Sequence, residues 1–270
     1  MIHQKKDKLN NIRQYSLRNK MGTDKKRFIE LDLLRGLAIT LMIFGHVLWD
    51  LDYFGLVPIN NVLYSALQKI VPPMFFTIIG LSIIVGRKKN NLSIKEEKQY
   101  NLKLIKRGLK IFNLGMLLTI ATIILIPDRP VYFGVLHCIG LTIILSIPFT
   151  KIKHYNLMFS VFFISLGIIV SQFTITNPNI LQLSLGLHQA DVWSHTVDYF
   201  PLLPWFGVTL LGIAIGNLLY DGEERRFKMP DISRFMPAKI FSWIGQHSLE
   251  IYLVHQPVIA GFLYIFLKTF

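Results

Sequence analysis

Residues 31–52 read LDLLRGLAITLMIFGHVLWDLD and form the first long apolar stretch of the chain. A helix needs about 20 such residues to cross the hydrocarbon core of a bilayer, so this stretch predicts a transmembrane helix. Further apolar stretches follow it, and most charged residues lie between them. The pattern predicts an all-α fold, a polytopic transmembrane helix bundle of about seven spans. The predicted spans cover residues 31–52, 62–86, 102–126, 132–149, 155–173, 199–220 and 240–267.

The composition is that of a membrane protein. Hydrophobic residues make up 52% of the chain and charged residues 17%, whereas soluble domains carry roughly 25% charged residues. The net charge of +13 does not indicate nucleic-acid binding, because the Lys and Arg residues lie in short segments between apolar stretches and not on one folded face. Cys138 is the single cysteine, so no internal disulfide can form.

The basic residues orient the predicted bundle. Nine Lys and Arg lie in residues 1–27, nine in 87–110, two in 151–153 and five in 221–239, so 25 of the 29 fall on one side. Basic residues accumulate on the cytoplasmic side of membrane proteins. We therefore predict a cytoplasmic N-terminus and an external C-terminus. Residues 1–27 are predicted to form a basic cytoplasmic tail, and residues 28–270 the transmembrane domain.

One face of the first predicted span carries its ionisable residues. Arg35 lies near the cytoplasmic end, and His46 follows about 16 Å further along the helix axis. Ionisable groups are costly inside a bilayer and mark functional sites by default. Two other interpretations stay open: Asp32 and Arg35 can form an interfacial ion pair, and His46 can bond to a neighbouring helix. The residues that share this face are Asp32, Arg35, Ile39, Met42, His46 and Asp50.

Histidines in other spans fall at a similar predicted depth. His137 begins the fourth span and His255 lies past the middle of the seventh, so together with His46 they predict a polar cavity. Glu250 needs a partner inside the membrane, which Arg35 or a histidine can supply. A three-histidine metal site is conceivable, but no HxxxH or CxxC spacing is present. We therefore predict no metal.

The sixth predicted span combines an aromatic turn with small residues. Trp205, in the stretch PWFG, either lines the site or belongs to the aromatic belt at the membrane interface. Gly212 and Gly216 lie four residues apart. This spacing predicts a face of the helix on which another helix packs closely.

Three stretches of the chain resemble a known membrane family. They are residues 27–38 (RFIELDLLRGLA), 204–207 (PWFG) and 245–257 (GQHSLEIYLVHQP). Together they look like bacterial and archaeal relatives of heparan-α-glucosaminide N-acetyltransferase, and the resemblance extends over residues 27–267. The first span is also similar to the wider superfamily of transmembrane acyltransferases that acylate cell-surface sugars. Its members show an Asp-x-x-Arg start with a histidine eleven residues after the arginine, a spacing that this span matches.

The resemblance implies a membrane acetyltransferase with acetyl-coenzyme A as its cytoplasmic donor and an extracytoplasmic sugar or glycan as its acceptor. Arg35 would bind the phosphates of the donor, and His46 would act as general base or carry the acetyl group. Asp50, one turn further on, would orient the imidazole, and the external segment 174–198 would bind the acceptor. The catalytic candidates are His46, Asp50, His137 and His255. The candidates for donor binding are Asp32, Arg35, Glu250 and Trp205.

Two other functions remain compatible with the sequence. A proton-coupled transporter or flippase can use buried His, Glu and Arg side chains as a relay, although no pair of related halves is visible. A scaffold without turnover would tolerate apolar residues at Arg35 and His46. The lipid bilayer is a predicted partner, nucleic acid is not, and a homodimer is kept open as the assembly. No residue pattern separates an amine acceptor from a hydroxyl acceptor.

Overall fold

The computed structural model describes residues 28–88, 94–153, 155–221, 224–232 and 234–269. The predicted basic tail, residues 1–27, lies outside the described residues. Most of the described chain is helical, with one short antiparallel pair of strands, β1 (Tyr220–Asp221) and β2 (Glu224–Arg225). The predicted all-α class therefore holds apart from these two short strands.

Helices of very different length make up the described chain. They are α1 (Ile29–Tyr53), α2 (Asn61–Lys88), α3 (Ile94–Leu125), α4 (Val135–Leu145), α5 (Asn156–Val170), α6 (Ile180–Leu185), α7 (Val192–His195), α8 (Leu202–Leu219), α9 (Met236–Gln246) and α10 (Ser248–Thr269), with a 3₁₀ helix at Pro148–Lys151. By length and composition α1, α2, α3, α8 and α10 can each cross a membrane, and α4 and α5 are shorter apolar helices. These helices identify a multi-pass membrane protein, while the count of seven spans stays a prediction.

Helix α8 lies against α2 on one side and α5 on the other. A Cβ atom at Gly212 would lie 2.1 Å from the carbonyl oxygen of Thr77, and one at Gly216 would lie 2.3 Å from the side chain of Ile84. Small residues let helix backbones approach this closely, so the predicted close-packing face of the sixth span is confirmed. Because both contacts advance together along the two helices, α2 and α8 run in the same direction.

Other neighbouring helices run in opposite directions. In the pair α1 and α2, Gly45 packs on Leu67, while Arg35 reaches Ser82 near the other end of α2. The glycine contacts between α3 and α4, and between α5 and α8, are likewise antiparallel. Such alternation is what a chain that crosses back and forth produces.

The last apolar stretch is divided into two helices. The sequence predicted one continuous span here, but α9 ends at Gln246, and α10 starts at Ser248 after a break at His247. A Cβ atom at Gly245 would lie 1.8 Å from the Asp32 carbonyl oxygen. A Cβ atom at Gly36 would lie 1.9 Å from the carbonyl oxygen of Phe241. Helix α9 therefore packs antiparallel on the first half of α1. Of α9 and α10, only α10 is long enough to cross a membrane.

The bundle has two chemically different ends. At one of them Arg225 donates two hydrogen bonds to Glu30, at 2.6 and 2.8 Å, and Arg87 donates to Glu97 at 2.9 Å. We call this the basic end. The opposite end of α1 carries His46, and we call it the histidine end.

Candidate functional site

The basic end holds Arg35 between two helices. Its Nη1 donates to Asp32 Oδ1 at 2.6 Å, and its Nη2 donates to Ser82 Oγ of α2 at 2.8 Å. Gln246 of α9 donates from Nε2 to the other oxygen of Asp32 at 3.4 Å. The ion pair that the spacing allowed between Asp32 and Arg35 is present, and Asp32 is only 4% exposed. This cluster therefore joins α1, α2 and α9 around one guanidinium.

Arg107 of α3 brings a second guanidinium to the basic end. It interacts electrostatically with Arg35, which has the same charge, and with Tyr100. Within the described ranges no carboxylate forms an ion pair with Arg107. Asp32 offsets the charge of Arg35, so the two guanidinium groups together keep a net positive charge that favours a bound anion. Because guanidinium binds phosphate oxygens through paired hydrogen bonds, this part of the site suits a phosphate-bearing ligand.

The histidine end brings together imidazole rings from α1 and α10. His46 and His255 form an edge-to-face contact with ring centroids 4.8 Å apart. Nδ1 of His46 lies 2.9 Å from the Met42 carbonyl oxygen, and Nδ1 of His255 lies 2.5 Å from that of Tyr252. A carbonyl oxygen only accepts hydrogen bonds, so each Nδ1 donates and each neutral ring keeps a lone pair on Nε2. Both rings can therefore accept a proton.

Asp50 lies one turn beyond His46 and is 2% exposed. Its two carboxylate oxygens accept hydrogen bonds from Nε2 of Gln256 at 2.9 and 3.0 Å, and the carboxylate interacts electrostatically with His46. The sequence predicted that Asp50 orients the imidazole. In the structure Nδ1 of His46 bonds to the Met42 carbonyl, so Asp50 does not orient the ring through that nitrogen, and its catalytic role stays a prediction.

Asp198 reaches the same region from the loop before α8. Its Oδ2 accepts a hydrogen bond from the Val135 N–H at the start of α4, at 2.9 Å. The carboxylate interacts electrostatically with His46, Cys138 and Tyr252. Burial raises the pKa of Asp198 to about 6, against the opposing effects of the Val135 N–H and His46. The carboxylate of Asp198 in the predicted acceptor loop therefore lies in the interior, near the histidine end.

The histidines and the other aspartate of that loop are exposed or half-buried. His195 is exposed, and its Nδ1 lies 3.5 Å from Oδ2 of the equally exposed Asp191. His188 makes a 2.7 Å contact from Nδ1 to the Gln189 carbonyl oxygen, which again makes that nitrogen the donor. These groups border the histidine end, and their role in acceptor binding stays a prediction.

His137 stabilises the start of α4. The Gly134 N–H donates to its Nδ1 at 3.2 Å, and its Nε2 lies 3.5 Å from Thr119 Oγ1. The ring is 1% exposed and packs between two phenylalanine rings. Of the three histidines that the sequence placed at one depth, the structure brings only His46 and His255 into ring contact. Both nitrogens of the third have structural partners.

Glu250 and Trp205 lie outside the two clusters. Glu250 is exposed in the first turn of α10, and its side chain makes no hydrogen bond or ion pair with the part of the chain that the structure describes. Neither Arg35 nor a histidine is its partner there. Trp205 stacks on Phe76, with centroids 5.1 Å apart, in an apolar cluster. Donor binding by either residue stays a prediction.

One family model matches residues 27–257, and its description is heparan-alpha-glucosaminide N-acetyltransferase, catalytic. The match includes both ends of the site. The chain belongs to this family. Neither the curated proteins nor the solved structures provide a match. The resemblance noted in the sequence is confirmed, and family membership supports a membrane acetyltransferase activity.

Several residues of the site were missed from the sequence. Gln246 and Gln256 lie inside the motif at 245–257, but a search for ionisable groups within spans passes over neutral amides. Arg107 was counted only as one basic residue near the cytoplasmic side. Ser82 carries no signal that separates it from other serines in apolar helices.

Proposed function

We propose that this protein is a membrane acetyltransferase. It moves an acetyl group from acetyl-coenzyme A at the basic end to an acceptor at the histidine end. The observation that carries the proposal is the arrangement along α1: a guanidinium fixed by Asp32 and Ser82, and a histidine with a free Nε2 lone pair on the same helix face, about 16 Å away.

The basic end is the donor side in this proposal. Arg35 is held by two side chains, so little conformational entropy is lost when it binds a phosphate. Arg107 adds a second positive charge nearby. The extended pantetheine arm of the donor would then run along α1 and place the thioester beside His46.

The histidine end is the place of the reaction. Nε2 of His46 takes a proton from the amine or hydroxyl of the acceptor, whose nitrogen or oxygen attacks the thioester carbonyl carbon. A carbon–nitrogen or carbon–oxygen bond forms and the carbon–sulfur bond breaks. The imidazolium then returns its proton to the departing thiolate. Asp50 and Asp198 stabilise the transient positive charge of the ring, because both carboxylates interact with it electrostatically.

The orientation of the bundle follows from the charges. The basic end would face the cytoplasm, where acetyl-coenzyme A is made, and the histidine end would face an extracytoplasmic sugar or glycan. Alternating helix directions and the location of 25 of the 29 basic residues support seven crossings with the N-terminus inside. A homodimer stays a prediction.

Calorimetric titration of acetyl-coenzyme A into the purified protein in detergent tests the donor side. We expect saturable binding by the wild type and about tenfold to hundredfold weaker binding by Arg35→Ala. This is the change in Kd that follows when a hydrogen bond to a charged group is lost. Arg226→Ala is the matched control, since Arg226 forms an exposed surface pair with Asp221 at the same end. Unchanged affinity in Arg35→Ala would remove Arg35 from the donor site.

If the wild type binds neither acetyl-coenzyme A nor longer acyl donors, the acetyltransferase proposal fails. The same preparation, reconstituted into vesicles, then tests proton-coupled uptake of amino sugars as the transporter function predicts.

A further inference from the structure

A hydrogen-bonded bridge joins α1 and α10 beside the two histidines. Gln256 Nε2 donates to both oxygens of Asp50, at 2.9 and 3.0 Å. Asp50 is 2% exposed and His255 is 9% exposed, so the bridge lies in the interior. Apart from this bridge, apolar side chains dominate the contact between these helices, including Met42 and Ile251.

The bridge and the histidine pair form one unit. Gln256 follows His255 directly on α10, and Asp50 lies one helical turn after His46 on α1. Residues within one turn of a helix move together because the backbone hydrogen bonds keep their spacing. A shift of α10 that broke the bridge would therefore also separate the two rings, whose centroids are 4.8 Å apart.

An amide suits this bridge better than a cation. Lysine or arginine at position 256 would neutralise Asp50, whereas the glutamine amide holds the carboxylate in place and leaves its charge to act on His46. Gln256 Oε1 and His255 Nε2 are both buried without a hydrogen-bond partner among the described residues. Among the described residues, the two hydrogen bonds to Asp50 are therefore the ones that hold the Gln256 side chain.

We propose that Gln256 is a positioning residue that, through its two hydrogen bonds to Asp50, fixes α10 against α1 and holds His255 edge-on to His46. The proposal rests on the acetyltransferase function above and assigns to it a residue on the second helix. Gln256 touches neither the donor nor the transferred group in this account. Its effect reaches the reaction through the geometry of the histidine pair.

The kinetic test compares Gln256→Leu with the wild type in acetyl transfer from acetyl-coenzyme A to D-glucosamine. Leucine keeps most of the side-chain volume and removes the bridge. We expect kcat to fall about tenfold to hundredfold, as for partners that orient a functional group, while KM for the donor is unchanged. Gln172→Leu is the matched control, because Gln172 is exposed near the same end and its replacement leaves kcat unchanged.

A swapped pair separates positioning from chemistry. Asp50→Asn combined with Gln256→Glu restores a carboxylate–amide bridge in the reverse direction. We expect the double variant to recover most of the kcat lost in Asp50→Asn or Gln256→Glu alone. A double variant as impaired as the worse single variant, or wild-type kcat in Gln256→Leu, would overturn the proposal.

A distance measurement tests whether Gln256 fixes α10 against α1, and it does not depend on enzymatic activity. Cysteines for spin labels are placed at the exposed positions Phe44 on α1 and Val258 on α10, and the native Cys138 is buried. We expect a narrow distance distribution in the wild type, a broader or shifted one in Gln256→Leu and recovery in the swapped pair. Identical distributions in all three would overturn the proposal. If the transferase function itself were wrong, the wild type would show no acetyl transfer in the kinetic assay.

Discussion

The two ends of α1 each pair a buried aspartate with a glutamine from the C-terminal helices, but the charge balance differs. At the basic end, Asp32 accepts from Gln246 and forms an ion pair with Arg35. At the histidine end, Asp50 accepts from Gln256, and no ion pair to it is formed within the described residues. One carboxylate is therefore paired with a cation, and the other is paired with a neutral amide beside two imidazoles.

This difference matches the chemistry that each end would perform. An aspartate paired with an arginine holds the guanidinium in place, and a guanidinium binds phosphate oxygens through paired hydrogen bonds. An aspartate held only by an amide makes its surroundings favourable for a positive charge. An imidazole that accepts a proton during catalysis benefits from that field.

The largest expected effect is at His46. Replacing it by alanine removes the proposed general base, and we expect kcat to fall by about 10² to 10⁴. Donor affinity, measured by calorimetry, stays at the wild-type value because the basic end is untouched. Transfer at a wild-type rate by His46→Ala would separate the histidine end from the reaction.

The next effect concerns the packing of the basic end. In Gly245→Ala the new Cβ would lie 1.8 Å from the Asp32 carbonyl oxygen, so α9 must move away from α1. Overpacking of this kind costs about 1 to 3 kcal/mol, and we expect a lower melting temperature and weaker donor binding. Gly261→Ala is the control, because nothing lies within 4 Å of its Cβ position. Equal melting temperatures of the two variants would contradict the close approach.

A smaller effect is expected at Ser82. Its hydroxyl accepts a hydrogen bond from Nη2 of Arg35 at 2.8 Å. Ser82→Ala leaves the ion pair with Asp32 in place, so we expect donor affinity to fall only about fivefold, in line with the net value of about 1 kcal/mol for one hydrogen bond. Ser146→Ala is the control, since Ser146 is buried in another part of the bundle and bonds to Thr142. An equal loss in both variants would show a general packing effect.

The last effect concerns the pH dependence of stability and Asp198. Burial raises the pKa of this carboxyl from 3.8 to about 6, so the folded protein binds the proton more tightly than the unfolded chain. The stabilising contribution is fully present below pH 3.8 and is lost as the pH rises through about 6. We expect Asp198→Asn, which keeps an oxygen for the Val135 N–H, to flatten the decline of melting temperature between pH 4 and 7. If the melting temperature of Asp198→Asn declined as much as that of the wild type, the pH dependence would come from other groups.

The sequence predicted much of the bundle and part of the site. Long apolar stretches set the helices, and the spacing along α1 placed Arg35 and His46 on one face because helical periodicity is a local property. The break at His247 was missed because the polar run from Gln246 to Ser248 is short and apolar residues resume on both sides of it. The close contact of Gly245 with α1 is a tertiary feature that no local pattern shows. The bridges from Gln246 and Gln256 depend on which helices become neighbours, and no local pattern encodes that.

Transfer of acetyl groups from one end of the bundle to the other can be measured directly. Proteoliposomes with the basic end outward are loaded with D-glucosamine and supplied externally with acetyl-coenzyme A carrying a labelled acetyl group. We expect labelled N-acetylglucosamine to form inside the vesicles with the wild type, and at no more than about one hundredth of that rate with His46→Ala. Label found only outside, or equal rates from the two proteins, would contradict the proposed transfer.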